Sequence, residues 1–437
     1  MAKLNLSDHN EHVKTIFIQA IQAVDPYQLV RKALYSPGSK LPIHGLTVER
    51  KAHSALYLVA LGKAAARMAQ SVLDLSEFKP TAGVIAVPSS DRTTFAHPMM
   101  VFHAGHPHPT QASIEAGQAA KSMLKRCAPD DIVLVLISGG GSALFELPAG
   151  EVDLEDLHAL NELLLRSGLP IQQMNIIRSA LSQTKAGGLA RLAAPARVVS
   201  LILSDVVGDP LASIASGPTV LSPDRRGDAR RLLKDRELWH EVPMGIRSTL
   251  NQVGSPRRKA RRPTNILLGG NNQMIDGAVV AAKTLGFQTQ VMSRQMHGEA
   301  SQVGRRFARR MIKRITDVEI PACFIMGGET TVTVSGSGKG GRNQEFALSA
   351  ACELEGHERV VIASLASDGI DGPTDVAGAI IHGETIPGIQ ANGINPAHAL
   401  AENNTYEALK TGKALYKTGP TGTNVADLAL GLIYPRT

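Results

Sequence analysis

The stretch Ile132-Val133-Leu134-Val135-Leu136-Ile137-Ser138-Gly139-Gly140-Gly141-Ser142-Ala143 runs six apolar residues directly into three glycines. A run that is apolar at every position predicts a strand buried on both faces, the usual condition of a parallel sheet covered by helices. Three successive glycines expose backbone N–H groups with no side chain in the way, and Ser138 and Ser142 add hydroxyls. The loop therefore suits phosphate or carboxylate oxygens. It is not a Walker loop, since no Lys-Ser or Lys-Thr closes it, and a tight strand-to-helix turn without ligand is the alternative reading of the same residues.

Around this stretch, strand-sized apolar runs recur at Ala55–Leu61, Gly83–Val87 and Val198–Leu203, while Lys63–Leu75 and Gln111–Arg126 carry the helix period. Such alternation predicts an α/β fold with crossover helices, whose ligands bind beyond the C-terminal ends of the strands. Lys63, which follows Gly62 at one of those ends, reads either as a cation facing the crevice or as an exposed first-turn lysine. The segment Asn251–Pro263 (NQVGSPRRKARRP) reads as a linker, giving a larger Rossmann-like domain over 1–255 and a smaller mixed α/β domain over 256–437. In the second domain a strand at Asn265–Gly269, a helix at Met274–Leu285, a strand at Gln288–Met292, a basic helix at Glu299–Arg314 and a strand at Cys323–Met326 are expected. The strict alternation of Thr330–Val334 (TTVTV) predicts a half-exposed strand.

A chain of 437 residues exceeds one ordinary core, which supports two domains. With 43% hydrophobic and 19% charged residues and no apolar run of bilayer length, the composition is that of a soluble globular protein rather than an integral membrane one. The polar start Met1–His12 has no signal-peptide pattern, and three scattered cysteines (Cys127, Cys323, Cys352) fit a reducing cytoplasm better than a disulfide scaffold or a zinc site. The net charge of +7 is concentrated in Arg225–Arg236, Arg257–Arg262 and Arg305–Arg314, two expected helix faces and one linker. None is interleaved with aromatics for base stacking, so neither nucleic acid nor membrane is expected as a partner.

A second glycine loop, Gly336-Ser337-Gly338-Lys339-Gly340-Gly341-Arg342-Asn343, matches the dinucleotide fingerprint literally. Its strand is of the wrong kind and no acid follows at the distance a ribose hydroxyl requires, whereas Lys339 and Arg342 suit an anion. Acids also gather after strand-like runs: Asp205 and Asp209, Glu329, and Asp368 with Asp371. Carboxylates at such ends can hold Mg²⁺ or take a proton from a hydroxyl, and they are also ordinary turn formers. His97, His103, His106 and His108 lie among prolines with no acidic or cysteine ligand beside them, which argues against a metal site there. Two anion-binding loops, two cations and several carboxylates together suit phosphoryl transfer.

The blocks Leu61-Gly62-Lys63-Ala64-Ala65, Gly105-His106-Pro107, Ser138 to Leu144, Lys185-Ala186-Gly187-Gly188, Leu203-Ser204-Asp205, Ser216-Gly217-Pro218-Thr219, Gly327-Gly328-Glu329, Gly341-Arg342-Asn343-Gln344-Glu345, Ser367 to Gly372 and Thr418 to Val425 occur in this order along nearly the whole chain. In them the sequence resembles the MOFRL-type (class II) glycerate 2-kinases, some relatives of which carry the label hydroxypyruvate reductase. The resemblance implies an active site in a cleft between two domains, with ATP and D-glycerate as substrates and Mg²⁺ or another divalent cation as cofactor. It implies catalytic roles for Lys63, Arg342, Asp205 and Asp368, the last two also as metal ligands. It further implies substrate or phosphate contacts from Ser138, Gly139, Gly140, Gly141, Ser142, Lys185, Glu329, Asn343, Glu345 and Asp371. An NAD(P)H-dependent hydroxypyruvate reductase is the competing expectation, and monomer and homodimer both stay open.

Overall fold

The computed structural model describes residues 6–34, 41–43, 46–48, 54–76, 79–252, 259–317 and 319–436. Residues 253–258, the middle of the expected linker, lie outside this set. The chain divides into two compact units, one of Pro26–Ser204 with Asp209–Leu268, the other of Met1–Asp25, Asp205–Gly208 and Gly269–Thr437.

The first unit is built on six strands: β1 (Leu56–Leu61), β2 (Ala82–Pro88), β3 (Met99–Ala104), β4 (Ile132–Ile137), β5 (Arg197–Leu203) and β6 (Thr264–Gly269), in the spatial order β3-β2-β1-β4-β5-β6. The pairings of β3 with β2, β2 with β1, β1 with β4 and β4 with β5 are all parallel. Every residue of β1 and β4 is buried, as their unbroken apolar runs predict. This is the dinucleotide-fold strand order, and its direction reverses between β1 and β4, where α/β sheets bind ligands. One expectation is corrected. The strand at Thr264–Gly269 is the edge of this sheet and not the start of the second domain. Its side-chain amide explains the attachment: Asn265 accepts a hydrogen bond from Thr219 Oγ1 at 2.7 Å and donates to the Thr219 carbonyl at 3.3 Å.

In the second unit β7 (Gln288–Met296), β8 (Ala322–Gly328), β9 (Val360–Ala366), β10 (Gly378–His382), β11 (Leu415–Tyr416) and β12 (Asp427–Ile433) form a mixed sheet in the order β11-β10-β9-β12-β8-β7. Only β7 and β8 pair in parallel; β12 runs antiparallel to both its neighbours. Three helices matter for the site: α1 (Asn271–Leu285), α2 (Ala300–Arg314) and α3 (Arg342–Leu354). In α2 the apolar Val303, Phe307, Ala308 and Met311 are buried, while Arg305, Arg306, Arg309 and Arg310 are exposed. The basic run is thus the solvated face of an amphipathic helix. Phe307 packs on Phe346 of α3 at a ring separation of 5.9 Å, in the middle of this unit's core.

Thr330–Val334 does not form the expected strand; a single bridge, Thr331 to Glu299, is its whole β character. Side chains satisfy the backbone that a neighbouring strand would have paired. Glu299 accepts from the Thr333 N–H at 3.1 Å, and Asn403 accepts from those of Ser335 and Gly336 at 2.8 and 3.0 Å. Alternation alone does not distinguish these two ways of meeting the same hydrogen-bond demand.

The N-terminal helix His9–Gln22 belongs to this second unit and not to the sheet that follows it in sequence. Its buried Val13, Ile16, Phe17 and Ala20 form one face, with Phe17 edge-on to Tyr416 at 6.0 Å and His12 Nδ1 hydrogen-bonded to the Tyr434 hydroxyl at 2.9 Å. Among the described residues no helix is long and apolar enough to cross a membrane. Phe17→Ala is expected to cost about 3–5 kcal/mol of stability. Amide hydrogen exchange should then accelerate in α1 and around Tyr416, and stay unchanged in β1 and β4.

Candidate active site

In the first unit the two loops leaving β1 and β4 are laced together at the point where strand order reverses. The Lys63 N–H donates to the Gly139 carbonyl at 2.8 Å, the Ala64 N–H to Ser138 Oγ at 3.0 Å, and the Ser138 N–H to the Leu61 carbonyl at 3.0 Å. This contact requires glycine at position 62, whose φ is +117° and where a Cβ would stand 2.4 Å from the Ser138 carbonyl oxygen. Gly140, also left-handed at φ +78°, has the Lys63 stem and the His106 ring within 3.3 Å of where its Cβ would be. Lys63 and the glycine loop are therefore neighbours, with Lys63 and Gly140 only partly buried.

Ser142, on the far side of the loop, shares a hydrogen bond of 2.6 Å with Ser216 Oγ. The Ser216 carbonyl accepts from the Ala186 N–H, and the Gly217 carbonyl from that of Gly187. Ala186, Ala215 and Ser216 all have positive φ, near +50 to +60°, so two strained turns brace each other behind the glycine loop. Lys185 itself is buried and ion-paired with Glu146, whose other carboxylate oxygen accepts from Ser182 Oγ and the Leu147 N–H. That places Lys185 within the support of the loop, with its ammonium engaged by a protein carboxylate. Glu146 had not been singled out in the sequence; its signal is a lone acid in the apolar run Ala143-Leu144-Phe145-Glu146-Leu147.

In the second unit the sheet topology makes the site. Because β12 starts where β8 and β9 end, Asp427 stands in register with both Gly328 and Ala366, beside the following Glu329 and Asp368. Arg342, the first residue of α3, reaches this edge. Its Nε and Nη2 donate to the two oxygens of Asp427 at 2.6 and 3.0 Å, and its Nη1 lies 2.9 Å from Glu329 Oε1. Burial by itself would lower the pKa of Arg342, but the charge and hydrogen bonds of Asp427, with Glu329 and Asp371 behind them, outweigh it and raise the value. Asp427, fully buried, was missed in the sequence although it too is a lone acid opening an apolar run.

Asp371, Asn343 and Glu345 fall behind this edge. The Asp371 carboxylate caps α3 from another loop, accepting from the backbone N–H groups of Asn343 and Gln344 at 3.0 and 2.9 Å and from both their side-chain amides. Burial pushes its pKa up and the two backbone donors pull it back. Gly341 is glycine because a Cβ there would lie 2.4 Å from that carboxylate. Asn343 Oδ1 accepts from Ser364 Oγ, and Glu345, its pKa raised by burial, accepts from Asn403 Nδ2 at 3.1 Å. These three expected substrate contacts are engaged in holding the N-terminus of α3. Asp205 and Asp368 are half-buried at strand ends, where Asp368 Oδ1 accepts from the Ile370 N–H at 3.1 Å. Among the described residues no three His, Cys, Asp or Glu side chains are grouped as for a metal ion.

The glycines of the fingerprint-like loop have a local explanation as well. A Cβ at Gly336 would stand 2.4 Å from the Glu402 backbone, and one at Gly338 2.5 Å from the Cα of Asn404. Lys339 lies over the Tyr406 ring at 4.6 Å. The loop packs on residues 402–406 and does not follow a buried parallel strand, so it lacks the setting a dinucleotide pyrophosphate needs.

Residues 12–251 match a domain of unknown function (DUF4147) and residues 322–427 match the MOFRL family. The chain is 38% identical to a glycerate 2-kinase of Pyrococcus horikoshii, covering 95% of each chain, and 38% identical to a D-glycerate 2-kinase of Thermotoga maritima, covering 95% of this chain and 96% of that one. A crystal structure of a glycerate kinase from Thermotoga maritima superposes with a TM-score of 0.86 at 37% identity, over 98% of this chain and all of the other. With relatives this similar over nearly its full length and a matching solved structure, the chain belongs to the MOFRL-type glycerate kinase family.

Proposed function

We propose that this chain is a cytoplasmic glycerate 2-kinase that transfers the γ-phosphoryl group of ATP to the 2-hydroxyl of D-glycerate, giving ADP and 2-phosphoglycerate. The observation that carries the reading is the near-full-length likeness to two kinases of that name. The geometry supplies parts that suit it. In-line attack forms the bond from the glycerate O2 to Pγ and breaks the bond from Pγ to the bridging oxygen, which leaves with its electron pair on ADP. Asp205 or Asp368 receives the hydroxyl proton. The Lys63 ammonium, next to the loop Ser138–Ser142, and the Arg342 fork, held at the edge of the mixed sheet, neutralise the charge of the transferring group.

Mg²⁺ ordinarily needs only one or two protein carboxylates beside the phosphates of its nucleotide, and Asp205 and Asp368 are the carboxylates that would hold it. When bound, such an ion supplies neutralisation of the phosphate oxygens. The remaining work belongs to the chain: Lys63 and Arg342 bind and orient, and Asp205 or Asp368 takes the hydroxyl proton.

Phosphorus NMR of the purified protein with ATP, Mg²⁺ and D-glycerate is expected to show 2-phosphoglycerate. A 3-phosphoglycerate signal would keep the kinase and reverse the regiochemistry, and no phosphorylated product at all would end the reading. Lys63→Met should lower kcat by about 10²–10³-fold, in the range found for losing one charge-stabilising donor, with little change in melting temperature because the side chain is partly exposed. Arg342→Ala should do two things. It removes a catalytic cation, and it leaves the fully buried Asp427 without its partner, at a cost of about 3 kcal/mol of stability. Equal melting curves for this variant and the wild type would contradict the buried pair.

A further inference from the structure

In the kinase reading Arg342 is a cation on the transferring phosphoryl group, and a guanidinium is useful there only if its fork is aimed. A long side chain at the first position of a helix has many rotamers, so something must select one. Asp427 does this by geometry. It is the first residue of β12, in register with the last residues of β8 and β9, and none of its surface is exposed. Both of its oxygens accept from Arg342, one from Nε and one from Nη2. This side-on grip fixes the plane and the rotation of the guanidinium together, which a single bond could not do. Glu329, on Nη1, differs: its side chain is 46% exposed against 0% for Asp427, so it sits where solvent reaches.

We propose that Asp427 is a positioning residue for phosphoryl transfer: held rigidly between β8 and β9, it orients the Arg342 guanidinium so that its remaining edge, where Nη1 meets the half-exposed Glu329, faces the transferring group. The inference rests on the kinase reading above and goes beyond it by adding a residue that touches neither substrate. Asp427 exchanges no proton in the reaction, and its effect passes entirely through Arg342.

The test is a double-substitution cycle on kcat with Asp427→Asn, which keeps the shape and one acceptor but loses the second acceptor and the charge, in the wild-type and Arg342→Lys backgrounds. Alone, Asp427→Asn is expected to lower kcat by about 10–100-fold while the KM values for ATP and D-glycerate stay within about twofold. With Lys at 342 there is no planar fork to orient, so adding Asp427→Asn should change kcat by less than about threefold. An equal fold-loss in both backgrounds, or a normal kcat in the single variant, overturns the proposal while the kinase reading stands. Wild-type protein that makes no phosphoglycerate overturns both. If Asp427→Asn does not fold, Asp427→Glu in the same two backgrounds gives the same comparison, because the longer side chain keeps the charge but displaces the fork.

Discussion

A carboxylate with no exposed surface at the head of an interior strand imposes a condition on everything around it. Asp427 is such a group, and an isolated buried charge is too costly to stand alone. Arg342 meets the condition, and for it to do so the N-terminus of α3 must sit at the edge where β8 and β9 end. That placement is secured by a second carboxylate, Asp371, which caps α3 from another loop and approaches closely enough to require glycine at 341. Asn343, tied to Ser364 of β9, and Glu345, tied to Asn403, pin the same turn. Most polar residues of the segment Arg342–Glu345 thus serve the position of one guanidinium.

The parallel sheet solves a different problem with the same economy of polar contacts. Its strand order leaves a gap in the connections between β1 and β4, and the loops leaving those two strands would diverge if nothing joined them. The Ser138 hydroxyl and the Gly139 carbonyl hold the turn at Lys63 and Ala64, at a separation only glycine at 62 permits. Behind them the strained turns at Ala186 and at Ala215–Ser216 are hydrogen-bonded to each other and, through Ser142, to the loop. The buried Glu146–Lys185 pair lies in this backing layer, so a lysine that reads as a ligand contact in a motif has its ammonium on a protein carboxylate.

What was legible in the sequence follows from this division. Strands buried on both faces, such as Ile132–Ile137, announce themselves by composition, and the loop after one of them is bound to lie at the sheet's C-terminal edge. Lys63, Ser138 and Arg342 draw attention in the sequence because they stand in or beside glycine turns. Asp427 and Glu146 were not, because partners 85 and 39 residues away give no local pattern. Thr330–Val334 was misread for a related reason: the Thr333 N–H donates to the Glu299 side chain and its carbonyl accepts from Asn403 Nδ2, which proximity in sequence cannot disclose. Thr264–Gly269 pairs with β5, far earlier in the chain, and its amide contact to Thr219 spans 46 residues, so neither leaves a local pattern.

The same distinction bears on how glycine motifs are weighed. Gly336, Gly338 and Gly341 are each required by a protein atom that would collide with a Cβ, whether the backbone of Glu402 and Asn404 or the carboxylate of Asp371. A fingerprint made of such glycines says that chain approaches chain there, and it carries no information about a nucleotide. In the loop after β4 the setting is mixed: a Cβ at Gly141 would meet Leu61 and Ala215 at 2.7 and 2.9 Å, whereas Gly140 is partly exposed, in the left-handed region, and faces a lysine stem and a histidine ring. Those neighbours are the side chains of a lysine and a histidine, where the atoms nearest Gly336 and Gly338 belong to Glu402 and Asn404. It is the identity of the atom nearest the missing Cβ, more than the spacing of the glycines, that tells which glycines answer to packing.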